Sequence, residues 1–535
     1  GSIGIGFRWG GSSSRHRLEV RWRSGTVSVV ESVQPNRSYR IREPEPGSGG
    51  VLEEAEERGP RAWFSEARSL LEHRHHDRLF DDRLRQPLLP RLMSQLGPGI
   101  QWADVNDDGF DDLLVPIDVD AGATVYLNRG GKRFERADSP GPGGESAGGV
   151  WMEQGKEEFR YWVGQSNYER GLRSQPSVRA FGFDGSALTP QGNLPGQLDS
   201  VGPVVSLDYD GDGDLDLFVG GRVRPGRYPE PAISRLYRNE GGRLKLDLEG
   251  SRGFVGLGMV SGAVAGDLDG DSDPELVLAL EWGGIEVWVN HEGAFRNETR
   301  ALGLSAFRGW WNSVALGDFD EDGRFDVIAG NWGRNTRYER YRDEGIRMRY
   351  GDLDRNGSVE AFELVYDRDR ERWGSIRDLI VMGTAVPALQ RRTHSYREFA
   401  EMGMEAALGS AFDALPTLEV NWLESSLFLN RGDSFEVRAL PVEAQLAPVF
   451  GIVVVDFDGD GHEDVFLAQN FFATQPETSR YDAGLGQVLR GLGDGAFESI
   501  PAAVSGVRIF GEQRGAAGAD YDRDGRWDLA VAQNG

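Results

Sequence analysis

A nine-residue acidic phrase, D-x-D-x-D-G-x-x-D, recurs seven times along this chain, and it narrows the possible folds more than any other feature. The copies read DVNDDGFDD from Asp104, DYDGDGDLD from Asp208, DLDGDSDPE from Asp267, DFDEDGRFD from Asp318, DLDRNGSVE from Asp352, DFDGDGHED from Asp456 and DYDRDGRWD from Asp520. Each sets an oxygen-bearing side chain at positions 1, 3, 5 and 9, and six of the seven carry Gly at position 6, with Ser272 the exception. Alternate residues of a tight loop turn their side chains toward one point, and Gly at position 6 permits the positive φ of a sharp turn. Carboxylates crowded in this way repel one another unless a cation lies between them. Calcium takes six to eight oxygen ligands at about 2.3–2.6 Å, which suits such a loop.

The candidate ligands follow copy by copy. They are Asp104, Asn106, Asp108 and Asp112, then Asp208, Asp210, Asp212 and Asp216, then Asp267, Asp269, Asp271 and Glu275. Next come Asp318, Asp320, Asp322 and Asp326, then Asp352, Asp354, Asn356 and Glu360. The last two sets are Asp456, Asp458, Asp460 and Asp464, and Asp520, Asp522, Asp524 and Asp528. Up to seven calcium ions are expected, in a structural role. The copies at Asp267 and Asp352 depart most from the pattern and are expected to bind more weakly.

An EF-hand loop starts in the same way but lies between helices and ends on Glu at position 12. Here the flanks are short apolar runs, such as FGIVVV before Asp456 and DLDLFVGG after Gly213, which read as buried strands. The loop is therefore the turn of a hairpin. A second hairpin follows in VYLNRGGKRF, LYRNEGGRLK, VWVNHEGAF, LFLNRGDSF and VLRGLGDGAF. Two hairpins make a four-stranded unit, the blade of a β-propeller. The spacing predicts an all-β, seven-bladed propeller, with blades starting near 100, 148, 203, 262, 313, 451 and 515. The second blade, near GGVWMEQGKEEFRYWVGQSN, has lost its acids. The Asp352 copy belongs to an elaboration of the fifth blade over 333–440, which also holds a helix at SYREFAEMGMEAALG capped by Ser395 and Glu398. Three regions result: a β segment over 1–45, a linker with a helix over 46–92, and the propeller over 93–535.

Composition removes several function classes. The net charge of -27 leaves no basic footprint for nucleic acid or for an anionic membrane surface. No apolar run reaches the roughly 18 residues of a membrane span, so membrane insertion is not expected. Cysteine is absent, which excludes disulfides, thiolate metal sites and a cysteine nucleophile. No GxSxG, HExxH or phosphate-loop motif occurs. A non-catalytic protein is expected, because the repeat accounts for most of the carboxylates that a polysaccharide-active enzyme would need. Trp310, Trp311, Trp332 and Tyr338 suit a sugar-binding face or interblade packing equally well. His73, His76 and Asp77 have the makings of a zinc site but read more simply as a solvated face. Arg431, Gly432 and Asp433 spell an RGD tripeptide that occupies a hairpin turn.

The seven loops and their hairpins resemble the FG-GAP/VCBS repeats of integrin α-subunit propellers and bacterial surface proteins. The stretch HRLEVRWRSGTVSVVESVQPNRSYRIRE is similar to the end of an ASPIC/UnbV domain, which accompanies such repeats in the cartilage acidic protein 1 family. This resemblance implies calcium binding, an extracellular or cell-surface location, and binding of a protein or polysaccharide ligand in adhesion. The last blade shows two strands before Gly535, and the rest is expected from further chain, from the N-terminal segment or from a neighbouring copy. The last of these would make the protein a subunit of a filament or surface layer, self-assembling through its incomplete terminal blade.

Overall fold

The strands behind the acidic loops set the architecture. Asp216–Val223 is buried at every residue, and so is Glu275–Gly283 apart from its last. A strand with no polar alternation must be covered on both faces. The computed structural model describes residues 62–75, 80–118, 122–137, 148–153, 159–171, 175–393 and 395–534. It also describes the strands Ser2–Gly6, His16–Arg21, Val27–Val33 and Ser38–Arg42. These four form two antiparallel pairs, Ser2–Gly6 with Ser38–Arg42 and His16–Arg21 with Val27–Val33.

From residue 101 onward the chain is all-β in its framework, a succession of antiparallel sheets, most of them four-stranded, of the kind that make propeller blades. Sheet one contains Gln101–Ala103, Asp112–Asp118, Gly122–Asn128 and Phe134–Arg136. Sheet two, which lacks an acidic loop, runs from Gly149–Glu153 to Leu188–Asn193, sheet three from Ser200–Leu207 to Leu244–Asp247, and sheet four from Met259–Gly266 to Ala294–Asn297. Sheet five pairs Ser313–Gly317, Asp326–Gly330, Ser426–Asn430 and Phe435–Ala439. Sheet six runs from Val449–Val455 to Phe497–Ile500, and sheet seven pairs Glu512–Ala519 with Asp528–Asn534.

The first strands of consecutive sheets pack side by side from sheet one to sheet seven, and Glu512–Ala519 packs in turn against Gln101–Ala103. Glycine permits this approach. A Cβ on Gly262 would lie 3.0 Å from the Cα of Ser313 in the next sheet. One on Gly515 would lie 3.0 Å from the Cα of Gly99, just before sheet one. Between sheets three and four, Phe218, Leu236, Phe254, Leu278 and Trp288 form one cluster, and comparable clusters fill the other intervals.

A further sheet is inserted between the second and third strands of sheet five. Its order is Arg372–Ser375, Glu360–Asp367, Ile346–Gly351 and Thr417–Val420, and the Asp352 loop joins its two middle strands. Short helices follow. The expected continuous helix over 395–409 is two, Tyr396–Met402 and Met404–Leu408, broken at Gly403 with φ 76°. Ser395 caps the first, its Oγ accepting from the Glu398 N–H at 3.1 Å.

The linker also departs from expectation. Its described residues hold 3-10 turns at Arg68–Leu70 and Asp82–Leu84 and no α-helix. Packing overrides helix propensity there. Trp63 and Phe64 are drawn into the apolar cluster beside sheets six and seven, and Leu89 and Met93 into another. His73 Nδ1 lies 2.7 Å from the Tyr126 hydroxyl, while His76 and Asp77 fall outside the described residues.

Residues 80–96 run as a strap over the ends of the sheets remote from the acidic loops of sheets one and three to seven, and at Arg85 the strap meets the Asp352 loop of the inserted sheet. Arg91 is its anchor, with its guanidinium 4.4 Å from the Trp332 ring centre and 3.2 Å from the carboxylate of Glu281. Glu281 also pairs with Arg222 and accepts from the Tyr228 hydroxyl at 2.8 Å. Trp310, Trp311, Trp332 and Tyr338 are all buried, the first, third and fourth in the strap's own cluster. They serve packing and present no open sugar-binding face.

Candidate metal centres

Each acidic loop begins as its sheet's first strand ends, and register fixes where position 9 falls. Leu207 pairs with Asp216, Gly266 with Glu275, Gly317 with Asp326 and Val455 with Asp464. The acid at position 9 is thus the first residue of the second strand and lies under the loop. In the loop from Asp208, Asp208 Oδ2 accepts from the Gly213 N–H at 2.9 Å, and Asp212 Oδ1 from the Asp214 N–H at 2.9 Å. Asp216 accepts from the Tyr209 N–H at 3.1 Å and from the Asn239 N–H at 2.7 Å.

The same bonds recur elsewhere. Position 1 accepts from position 6 at Asp104, Asp267, Asp318, Asp352, Asp456 and Asp520. Position 3 accepts from position 5 at Asn106, Asp269, Asp354, Asp458 and Asp522. Position 5 accepts from position 7 at Asp108, Asp271, Asp322, Asn356, Asp460 and Asp524. Ser272 keeps the turn by adopting φ 78°, so the loop without its glycine has the shape of the others. Position 4 also has positive φ in every copy, at Asp107, Gly211, Gly270, Glu321, Arg355, Gly459 and Arg523. Glycine at three of these positions was its signal in the sequence.

The side chains converge. Ligand atoms lie within 4.8 Å of one another in Asp208, Asp210 and Asp216, in Asp318, Asp320 and Asp326, and in Asp352, Asp354 and Glu360. The same holds for Asp267, Asp269 and Asp271 and for Asp456, Asp458 and Asp460. Burial, reinforced by neighbouring carboxylates, pushes the position-9 acids up, Asp112 to about 6 and Asp216, Glu275, Asp326, Glu360, Asp464 and Asp528 to about 7. Asp210 Oδ1, Asp318 Oδ1 and Asp320 Oδ1 are buried without a hydrogen-bond partner. Oxygen donors, mostly anionic and only partly offset by the protein's own cations, fit a hard divalent cation.

Arginines bind the outer oxygens of several position-3 acids. Arg238 lies 3.0 Å from Asp210, Arg490 lies 2.8 Å from Asp458, and Arg431 pairs with Asp320. Arg431 also holds Glu436 at 2.9 Å, so the arginine of the RGD tripeptide is engaged within its own sheet. The Asp352 loop stands apart from the others. It lies on the inserted sheet, where the Val359 N–H donates to Gly226 O at 3.0 Å and the Ser358 hydroxyl to Arg85 O at 2.8 Å. The asparagines at or next to the ends of the third strands, Asn128, Asn239, Asn290 and Asn430, are buried beside these sites. In sequence they read only as turn residues.

Residues 208–278, 267–329 and 456–531 match the family described as FG-GAP-like repeat, and the chain carries such repeats there. No curated protein matches the sequence. Among solved structures, the chain is similar to BBS1N in complex with ARL6DN, at 9% identity and TM-score 0.40 over 84% of this chain and 92% of that one. It is similar to the V. cholerae biofilm matrix protein Bap1 at 10% identity and TM-score 0.35, over 83% and 86% of the two chains. Saccharomyces cerevisiae Sqt1 aligns at 10% identity and TM-score 0.31, over 77% and 98%. At these scores the three bear on neither ligand nor activity.

Proposed function

We propose that this chain of FG-GAP-like repeats is a calcium-ordered, seven-bladed propeller that serves as a non-catalytic scaffold for a protein or polysaccharide ligand outside the cytoplasm. The observation that carries the reading is the recurrence of one convergent carboxylate loop at the same register in sheet after sheet. The cyclic packing of the first strands supports a closed ring. The sequence resemblance of the stretch HRLEVRWRSGTVSVVESVQPNRSYRIRE to an ASPIC/UnbV domain supports the extracellular place.

In each loop the residues at positions 1, 3, 5 and 9 would hold the ion, which supplies the positive charge that the clustered acids lack. The ion's part is structural: it neutralises the loop and fixes the hairpin, and ligand binding falls to exposed connections. The test is thermal unfolding of the chelated protein with calcium or magnesium added back. One site filled at a hundred times its dissociation constant adds about 2.7 kcal/mol, so several filled sites raise the melting temperature by many degrees. No shift with calcium, or an equal shift with magnesium, refutes the reading.

A further inference from the structure

The third-strand asparagines do more than close a turn. The Asn290 N–H donates to Glu275 of its own sheet at 3.3 Å, and its side-chain amide donates to Tyr209 O at 2.8 Å. Tyr209 is position 2 of the acidic loop in the preceding sheet. Asn430 repeats this arrangement, its N–H 2.7 Å from Asp326 and its amide 2.8 Å from Leu268 O in the loop before. Asn128 does the same between sheets one and seven, with its N–H 2.7 Å from Asp112 and its amide 2.7 Å from Tyr521 O.

The exceptions follow the same logic. Asn239 adjoins sheet two, which has no acidic loop, and its amide donates within its own sheet to Leu215 O at 3.0 Å. Sheet six has Gly491 in place of the asparagine. The Gly491 N–H reaches Asp464 at 2.9 Å, and the preceding loop's Phe319 O accepts instead from the Gly495 N–H at 2.9 Å.

We infer that Asn290, Asn430 and Asn128 are positioning residues that couple cation binding in adjacent loops, so that a filled loop tightens its neighbour. The inference rests on reading the loops as calcium sites. A cation drawing positions 1 and 3 together fixes the carbonyl at position 2 between them. That carbonyl holds the asparagine amide, and the asparagine N–H in turn holds the position-9 acid of the next loop. The ordering cost that two loops share is then met largely by the first ion, which is positive cooperativity without a change of fold.

The test is calorimetric calcium titration of the chelated full chain beside a variant whose Asp267 loop is disabled by Asp269→Asn and Asp271→Asn. Loss of that ion is expected to weaken the adjacent Asp208 and Asp318 sites about fivefold, the worth of one hydrogen bond. Asn290→Ala and Asn430→Ala, which keep the backbone N–H, are expected to weaken the same pair of sites and to leave little further loss when combined with the disabled loop. Asn239→Ala, an equally buried change without the bridge, is expected to affect its own loop alone. Unchanged affinity at the Asp208 and Asp318 sites in the loop-disabled variant overturns the coupling, and that arm needs no asparagine variant to fold. A wild-type chain that takes up no calcium instead defeats the calcium reading itself, so the two failures are distinguishable.

Discussion

Glu281 shows how one residue can hold a whole face of the molecule. Burial pushes its carboxyl up, but Arg91 and Arg222 outweigh this, and the net position is below the ordinary glutamate value. A carboxyl depressed in the folded state contributes stability above its unfolded pKa and loses it as pH falls through the folded value. The stability gap between wild type and Glu281→Gln is therefore expected to be widest above about pH 5 and to shrink below about pH 4. Denaturant unfolding across that range checks it, and a gap that widens toward acid contradicts the assignment. Arg91→Met, which leaves buried Glu281 with Arg222 as its one remaining cation, is expected to cost about 1.5–3 kcal/mol, measured in the same way at neutral pH. Neither Glu281 nor Arg91 stood out in the sequence, because an ion pair between residues so far apart leaves no local pattern.

At the scale of the element, the loop is the unit that the sequence spelled out most fully. The convergence of positions 1, 3 and 9 at Asp208 and Asp318 was legible from spacing alone, since a tight turn leaves few ways to place alternate side chains. The third loop offers a sensitive check. Ser272 holds φ 78°, a conformation glycine adopts without strain. Ser272→Gly is expected to stabilise the chelated protein by about 1 kcal/mol, read from thermal or denaturant midpoints, whereas Gly213→Ala at the matching position is expected to destabilise it. The helices were less legible. Tyr396–Met402 was marked by its Ser395 cap, yet Gly403 ends it, and the linker's Trp63 and Phe64 exchange a helical turn for partial burial beside sheets six and seven. Local propensity is worth tenths of a kcal/mol per residue, and a buried aromatic outweighs it.

For the whole molecule, the decisive contact is between the last sheet and the first. Gly515 lies against Gly99, and Asn128 reaches Tyr521 across the same boundary. Gly515→Val is expected to lower stability by at least about 2 kcal/mol, because its side chain meets backbone and cannot be relieved by a rotamer change. Thermal unfolding measures this, and a neutral result would argue against a closed ring. The strap acts on the same scale. By covering the sheet ends remote from the acidic loops of sheets one and three to seven, it buries the aromatic set around Trp310.

The sequence by itself determined the repeat, the hairpin at each acidic loop, the position-9 acids and the acid-free second sheet. All of these follow from residue types at fixed short spacings, where backbone geometry leaves little freedom. Only the tertiary structure decided that residues 80–96 lie over the sheet ends, that Arg91 finds Glu281 and Trp332, and that Asn128, Asn290 and Asn430 each tie one loop to a neighbouring one. Those contacts join residues distant in sequence, and they are selected by shape and by the need to pair buried charges and amides, which local sequence does not record.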